Sequence, residues 1–163
     1  MLELRAGPNG VVVDPAIGNL AELWFGPITP LHRAPWYGSR DSAGMAPVER
    51  RLAGDFLCLP FGASDLVPGP IHGQTANAPW EVVEREPHRA RLRLTVPAMG
   101  ARVEKELRLT AGAPILVQTH VIEGGEGRAT LAHHPMVHMA AGGRIACSVK
   151  RAVLTPEAPL EPG

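Results

Sequence analysis

A chain of 163 residues in which Lys plus Arg equals Asp plus Glu, 16 each, carries no net field to draw it to nucleic acid or a membrane surface, so small molecules and proteins are its expected partners. That length gives one domain with a real core, residues 1–163, and is too short for two. Residues 1–5 show no basic-then-apolar leader and no apolar run spans a bilayer, which makes the cytoplasm the expected compartment.

Glycine and proline, 18 and 17 residues, fall as punctuation between short apolar stretches, the pattern of many short strands and little helix. In chain order, 2–6 and 11–14 flank the turn signal Gly-Pro-Asn-Gly and predict an opening hairpin. Residues 19–25 predict a third strand. Residues 31–37 hold two aromatics, a histidine and Arg33 between prolines, which forbids regular structure. Arg33 is a candidate for directional hydrogen bonds to a polar ligand, against the plainer reading of a loop that caps the core. A polar, mobile loop is expected at 40–45. Residues 56–62 are the most apolar stretch and predict buried strand, with Pro60 marking an edge or bend. Beyond a loop at 65–70, Gly73 lets the backbone turn tightly and approach a ligand, so that His72 before it points into a cleft.

Strand follows at 80–86 and again at 89–96, where Ala90, Leu92, Leu94 and Val96 share one face and Arg89, Arg91, Arg93 and Thr95 the other. A turn at 98–100 leads into 102–110, with Val103, Leu107 and Leu109 inward and Arg102, Glu104, Glu106 and Arg108 outward. The two charged rows form a paired solvent face with no binding role. Strands are expected at 114–123 and 145–149, and none in the tail at 155–163. Cys58 and Cys147 sit in apolar runs and read as buried free thiols of a reducing compartment.

The stretch that demands a chemical reading is Leu-Ala-His-His-Pro-Met-Val-His-Met at 131–139, three of the seven histidines within six residues. A zinc-binding helix is disfavoured, because Pro135 follows His134 directly and no glutamate lies between His134 and His138. As an extended strand of period two, it puts His134, Met136 and His138 on one face that lines a hollow. The plainer reading is a half-buried strand with hydrogen-bonded histidines. About a dozen short strands predict an all-β antiparallel sandwich.

The order of these features resembles the galactose mutarotase-like superfamily, the aldose 1-epimerases and their relatives, whose fold is a β-supersandwich. Gly54-Asp55-Phe56-Leu57-Cys58-Leu59-Pro60-Phe61 followed by His72-Gly73 and, at the family's spacing, Trp80 is similar to the strand and His-Gly motif of the hexose-phosphate epimerase branch. Val103-Glu104-Lys105-Glu106-Leu107 resembles the strand before the family's second histidine, for which His134 is the best match. The resemblance implies His134 as the catalytic acid toward a sugar ring oxygen, His72 as a contact to pyranose oxygens, and no metal or organic cofactor. Arg33 and His138 join as candidate substrate-binding residues. Ala76 stands where that branch has an arginine, which points to an unphosphorylated aldose. The family's glutamate base comes from a C-terminal part beyond Gly163, so the chain is expected to match the N-terminal portion of a family domain and to pair with a second copy through uncovered strand edges.

Three readings follow from these residues. The first is an aldose 1-epimerase-like isomerase and the second a carbohydrate-binding module of the same fold without turnover. The third, a metal site at His133, His134 and His138, lacks the acidic ligand and spacing that such sites use.

Overall fold

The structure, a computed structural model, describes residues 1–39, 44–62, 68–144, 146 and 148. The expectations for 40–43, 65–67, Cys147 and 155–163, and most of that for 145–149, fall outside the described residues. Among the described residues the regular structure is mostly strand: β1 (Leu2–Ala6), β2 (Asn9–Asp14), β3 (Asn19–Phe25), β4 (Leu57–Cys58), β5 (Trp80–Arg85), β6 (Arg89–Leu94), β7 (Ala101–Leu109), β8 (Leu116–Gly124) and β9 (Ala132–His133). Among the described residues helix is confined to α1 (Pro47–Arg50) and one 3-10 turn, Gln74–Ala76. No helix among the described residues is long and apolar enough to cross a membrane.

Three antiparallel sheets result, in the orders β1-β2-β3, β4-β9 and β5-β6-β7-β8. Alternation decides their faces. Along β6 and β7, Ala90, Leu92, Leu94, Val103, Leu107 and Leu109 are buried, while the arginines and glutamates between them face outward and pair, Arg93 with Glu104 and Arg89 with Glu106 at 3.0 and 2.7 Å. The inner faces of the first and third sheets meet in one core, with Leu4, Val11 and Val13 on one side and Trp80, Leu92 and Val103 on the other. The fold is thus the all-β, antiparallel, sandwich-like architecture that the punctuation pattern predicts. A smaller apolar cluster of Val48, Phe56, Cys58 and Ala76 lies apart from it.

The segment around β4 joins these parts. Leu20 donates its N–H to the carbonyl of Asp55 at 2.8 Å, which attaches the segment to β3. Gly54 makes this approach possible: its φ is +63°, and a Cβ there would lie 1.6 Å from the Leu20 carbonyl oxygen. On its other side the segment takes N–H groups from His134 and Met136, to the carbonyls of Phe56 and Gly54 at 3.0 and 2.7 Å, before His138 turns to Pro30 at 2.9 Å. Extended backbone therefore runs well beyond β9, but its partner changes from the β4 segment to residues 30–32, which is why the regular ladder stops after two residues.

Candidate functional site

His72 and His134, far apart in sequence, meet at one place. Their ring centroids are 5.2 Å apart at an interplanar angle of 71°. His134 stacks on the buried ring of Phe56, 4.8 Å away and 9° from parallel, and His72 presents its edge to that same ring at 5.7 Å. Phe61, 45% exposed, closes the rim 5.3 Å from His72. Both imidazoles are half-buried.

Local backbone chemistry fixes the first imidazole. His72 adopts φ of +63°, a conformation few side chains occupy. It is held there reciprocally: its N–H donates to the Gly62 carbonyl at 2.9 Å, and the Gly62 N–H donates to Nδ1 at 3.1 Å. Because Nδ1 accepts, the neutral ring carries its proton on Nε2, leaving a donor free. Burial, and then the neighbouring charge of His134, hold the His72 pKa below the usual histidine value. Gly73 serves a different end from the one its sequence context suggests. A Cβ there would lie 1.9 Å from the Leu59 carbonyl oxygen, so the close approach it permits is to the β4 segment. His134 takes its place from strand pairing with Phe56, and its Nδ1 is buried without a hydrogen-bond partner.

Arg33 and His138 do not join this pair. Arg33 donates to Glu22 at 2.6 Å and lies over the Tyr37 ring, 4.2 Å from its centroid. Tyr37 in turn donates to Asp14 at 2.7 Å, and Trp36 to the Glu49 carbonyl at 2.9 Å. The 31–37 loop is thus a cap tied to its surroundings. His138 is exposed and stacks against His32, centroids 6.3 Å apart. His133 and His134, being consecutive in extended backbone, point to opposite faces, so the three histidines of the stretch do not converge. No group of three or more metal-ligating side chains is found among the described residues.

A second constellation lies on the face that His133 occupies, and sequence reasoning did not bring its members together. Asp55 Oδ2 bonds His133 Nδ1 at 2.9 Å and accepts the Gln118 amide N–H at 2.7 Å. His120 lies beside His133, centroids 5.0 Å apart. Lys105, 1% exposed, donates to the Gly18 carbonyl and sits 4.9 Å from the Trp80 ring centroid. Burial lowers the Lys105 pKa to about 8 against the opposing pull of Asp55. Burial, then the charges of Lys105 and His133, lower that of His120 to about 3. For Asp55 burial acts upward, but the hydrogen bonds from His133 and Gln118 outweigh it and hold the carboxyl below its ordinary value. Three buried atoms of this group have no partner: Asp55 Oδ1, Gln118 Oε1 and His120 Nε2. The available signal was strand period, since Lys105 alternates with Val103 and Leu107 on the inward face. Comparison with protein-family models, with curated proteins and with solved structures finds nothing that matches this chain.

Proposed function

We propose that the His72–His134 pair serves an aldose 1-epimerase-like isomerase that interconverts the anomers of an unphosphorylated aldose. The observation that carries this reading is the meeting of two imidazoles from distant segments over an aromatic floor, one of them with a buried nitrogen that nothing else engages. Anomer exchange needs an acid at the ring oxygen and a base at the anomeric hydroxyl. His134 in its protonated form gives a proton to the ring oxygen as the bond from that oxygen to the anomeric carbon breaks. The base takes the hydroxyl proton, and an open-chain aldehyde results. Rotation about the adjacent carbon–carbon bond and the reverse transfers close the ring on the other face. His72 donates Nε2–H to a sugar oxygen, and Phe61 covers an apolar face of the ring. Ala76, fully buried, leaves no room for the arginine that a phosphate would call for. A cytoplasmic setting fits the buried thiol of Cys58.

Asp55 is not the base. It follows from strand alternation that its side chain leaves the segment on the face opposite Phe56 and His134. That orientation also favours a second reading, a carbohydrate-binding module without turnover. Polarimetry of fresh α-D-glucose and α-D-galactose separates the two. The isomerase reading expects faster anomer exchange with the protein present and a loss of about 100-fold or more in His134→Ala, the usual range for a general acid. Sugar binding by calorimetry without faster exchange supports the module, and neither effect overturns both.

Self-association belongs to the same proposal. β8 is an edge strand with Val117 and Val121 exposed on either side of Thr119, so antiparallel pairing of two copies about Thr119 sets each Val117 against a Val121. Light scattering is expected to give a dimer mass, and Thr119→Lys, which sets like charges opposite one another at the centre of the pairing, a monomer. A monomeric wild type would exclude the pairing.

A further inference from the structure

We infer that His32, His138 and Met136 form a binding site for a monovalent copper ion. The two imidazoles stand on segments held together through their backbones. Leu31 and Val137 make an antiparallel bridge, His32 donates its N–H to the Met136 carbonyl at 2.7 Å, and His138 donates its own to that of Pro30 at 2.9 Å. In that register Met136 lies opposite His32, and His138 lies diagonally across from it. All three side chains therefore leave the ribbon on the face away from Leu31, Pro135 and Val137. Both imidazoles are exposed and Met136 is half-buried. The sugar reading uses none of the three, and His138 lies about 13 Å of extended backbone beyond His134.

The spacing of the rings suits a shared ion. Their centroids are 6.3 Å apart and their planes 8° from parallel. A metal bound at about 2.0–2.1 Å to one nitrogen of each ring holds the ring centres about 5–6.5 Å apart, depending on the angle at the metal. Among the described residues no hydrogen bond engages either ring. This separates the pair from His72 and His133, each of which has Nδ1 committed. Rotation about the broad terminal torsion of each exposed ring turns a lone pair toward the other without moving the backbone. The third donor selects the ion. Imidazole, thiolate and carboxylate ligands number fewer than three here, and what completes the set is the Met136 thioether. Imidazole accepts zinc, nickel and copper, but a thioether favours a soft ion, and Cu(I) suits both. The three donors are also neutral, so no ligand anion offsets the second charge of a divalent ion taken out of water.

The test titrates the full chain with Cu(I), kept reduced by ascorbate in the absence of oxygen, against bicinchoninate as the competing ligand. Cys147→Ser serves as the background, so that its thiol does not take the ion. One ion per chain is expected, with shifts of the His32 and His138 imidazole resonances and the Met136 methyl, and none of His72 or His133. His32→Gln and His138→Gln, both at exposed positions, should each weaken binding by more than about 100-fold, beyond what a supporting outer-shell partner supplies. Met136→Leu keeps the volume and removes the sulfur. It should weaken Cu(I) about tenfold or more and leave unchanged the weaker binding of Zn²⁺ by the two imidazoles. No stoichiometric Cu(I) on the folded chain, full affinity in His138→Gln, full affinity in Met136→Leu, or shifts at His72 and His134 in place of His32 and His138 would each overturn the proposal. None of these bears on sugar exchange, which polarimetry reads separately.

Discussion

Asp55→Ala is expected to lower the unfolding free energy at neutral pH by about 1–3 kcal/mol, the range for leaving buried polar groups without the partner that compensates them. The cause is what remains. Lys105 is fully buried, bonded to the Gly18 carbonyl, against the Trp80 face and across from His120, and the carboxylate that acts on its charge, from beyond ion-pair distance, is Asp55. His133 and Gln118 would lose their common acceptor, and His133, with an exposed side chain, recovers a hydrogen bond in solvent. The pH dependence identifies the mechanism. With a native pKa of about 8, Lys105 is neutral well above that pH and no longer needs an anion. The loss in Asp55→Ala should therefore shrink between neutral pH and about pH 9.5 as the lysine deprotonates. Urea titrations at the two values measure it. A loss that does not vary with pH would assign Asp55 a packing role alone.

His120 is expected to make the protein acid-labile. Its pKa is about 3 in the folded chain against the ordinary 6.5, so the unfolded state binds a proton that the folded state refuses. Stability is then fully present above pH 6.5 and is lost progressively as the pH falls toward 3. The whole window amounts to about 5 kcal/mol, with about 3 kcal/mol gone by pH 4.5. That is a large part of the margin of an ordinary domain, about 5–15 kcal/mol. His72 shifts in the same direction and adds to the slope, while Asp14 and Asp55, lowered from 3.8, act only in more acid solution. His120→Gln keeps a polar side chain without an imidazole and should flatten most of the slope between about pH 6.5 and 4.5. Parallel curves for the variant and the wild type would remove His120 as the cause.

The sheet layout was readable wherever one face is core and the other solvent. Residues 19–25 form a strand with the expected bounds, and 89–96 and 102–110 give β6 and β7 with the expected faces, because apolar alternation on an antiparallel sheet reports burial directly; the exception is Val96, which lies beyond the end of β6 and is exposed. The meeting of His72 and His134 was also within reach of the sequence, through the motif context of each. Alternation reports a face and says nothing of its contents. Lys105 falls in register with Val103 and Leu107 on the inward face, but the period does not show that an Asp, a Gln and two imidazoles lie beside it. Arg33 was open to two readings for a related reason: cation and aromatics in a proline-bounded loop look the same whether they face a ligand or one another. The β4–β9 pairing was legible only as extended backbone, since the change of partner from residue 54 to residue 30 depends on tertiary position.

Two adjacent residues, His133 and His134, divide their side chains between a carboxylate on one side of the ribbon and a phenyl ring on the other. Inserting or deleting one residue just upstream would swap the two environments, giving each face the wrong neighbour while leaving composition almost unchanged. The ribbon is consequently far more sensitive to changes in length than to changes in residue type, and lineages of this chain are expected to vary its side chains while keeping its spacing.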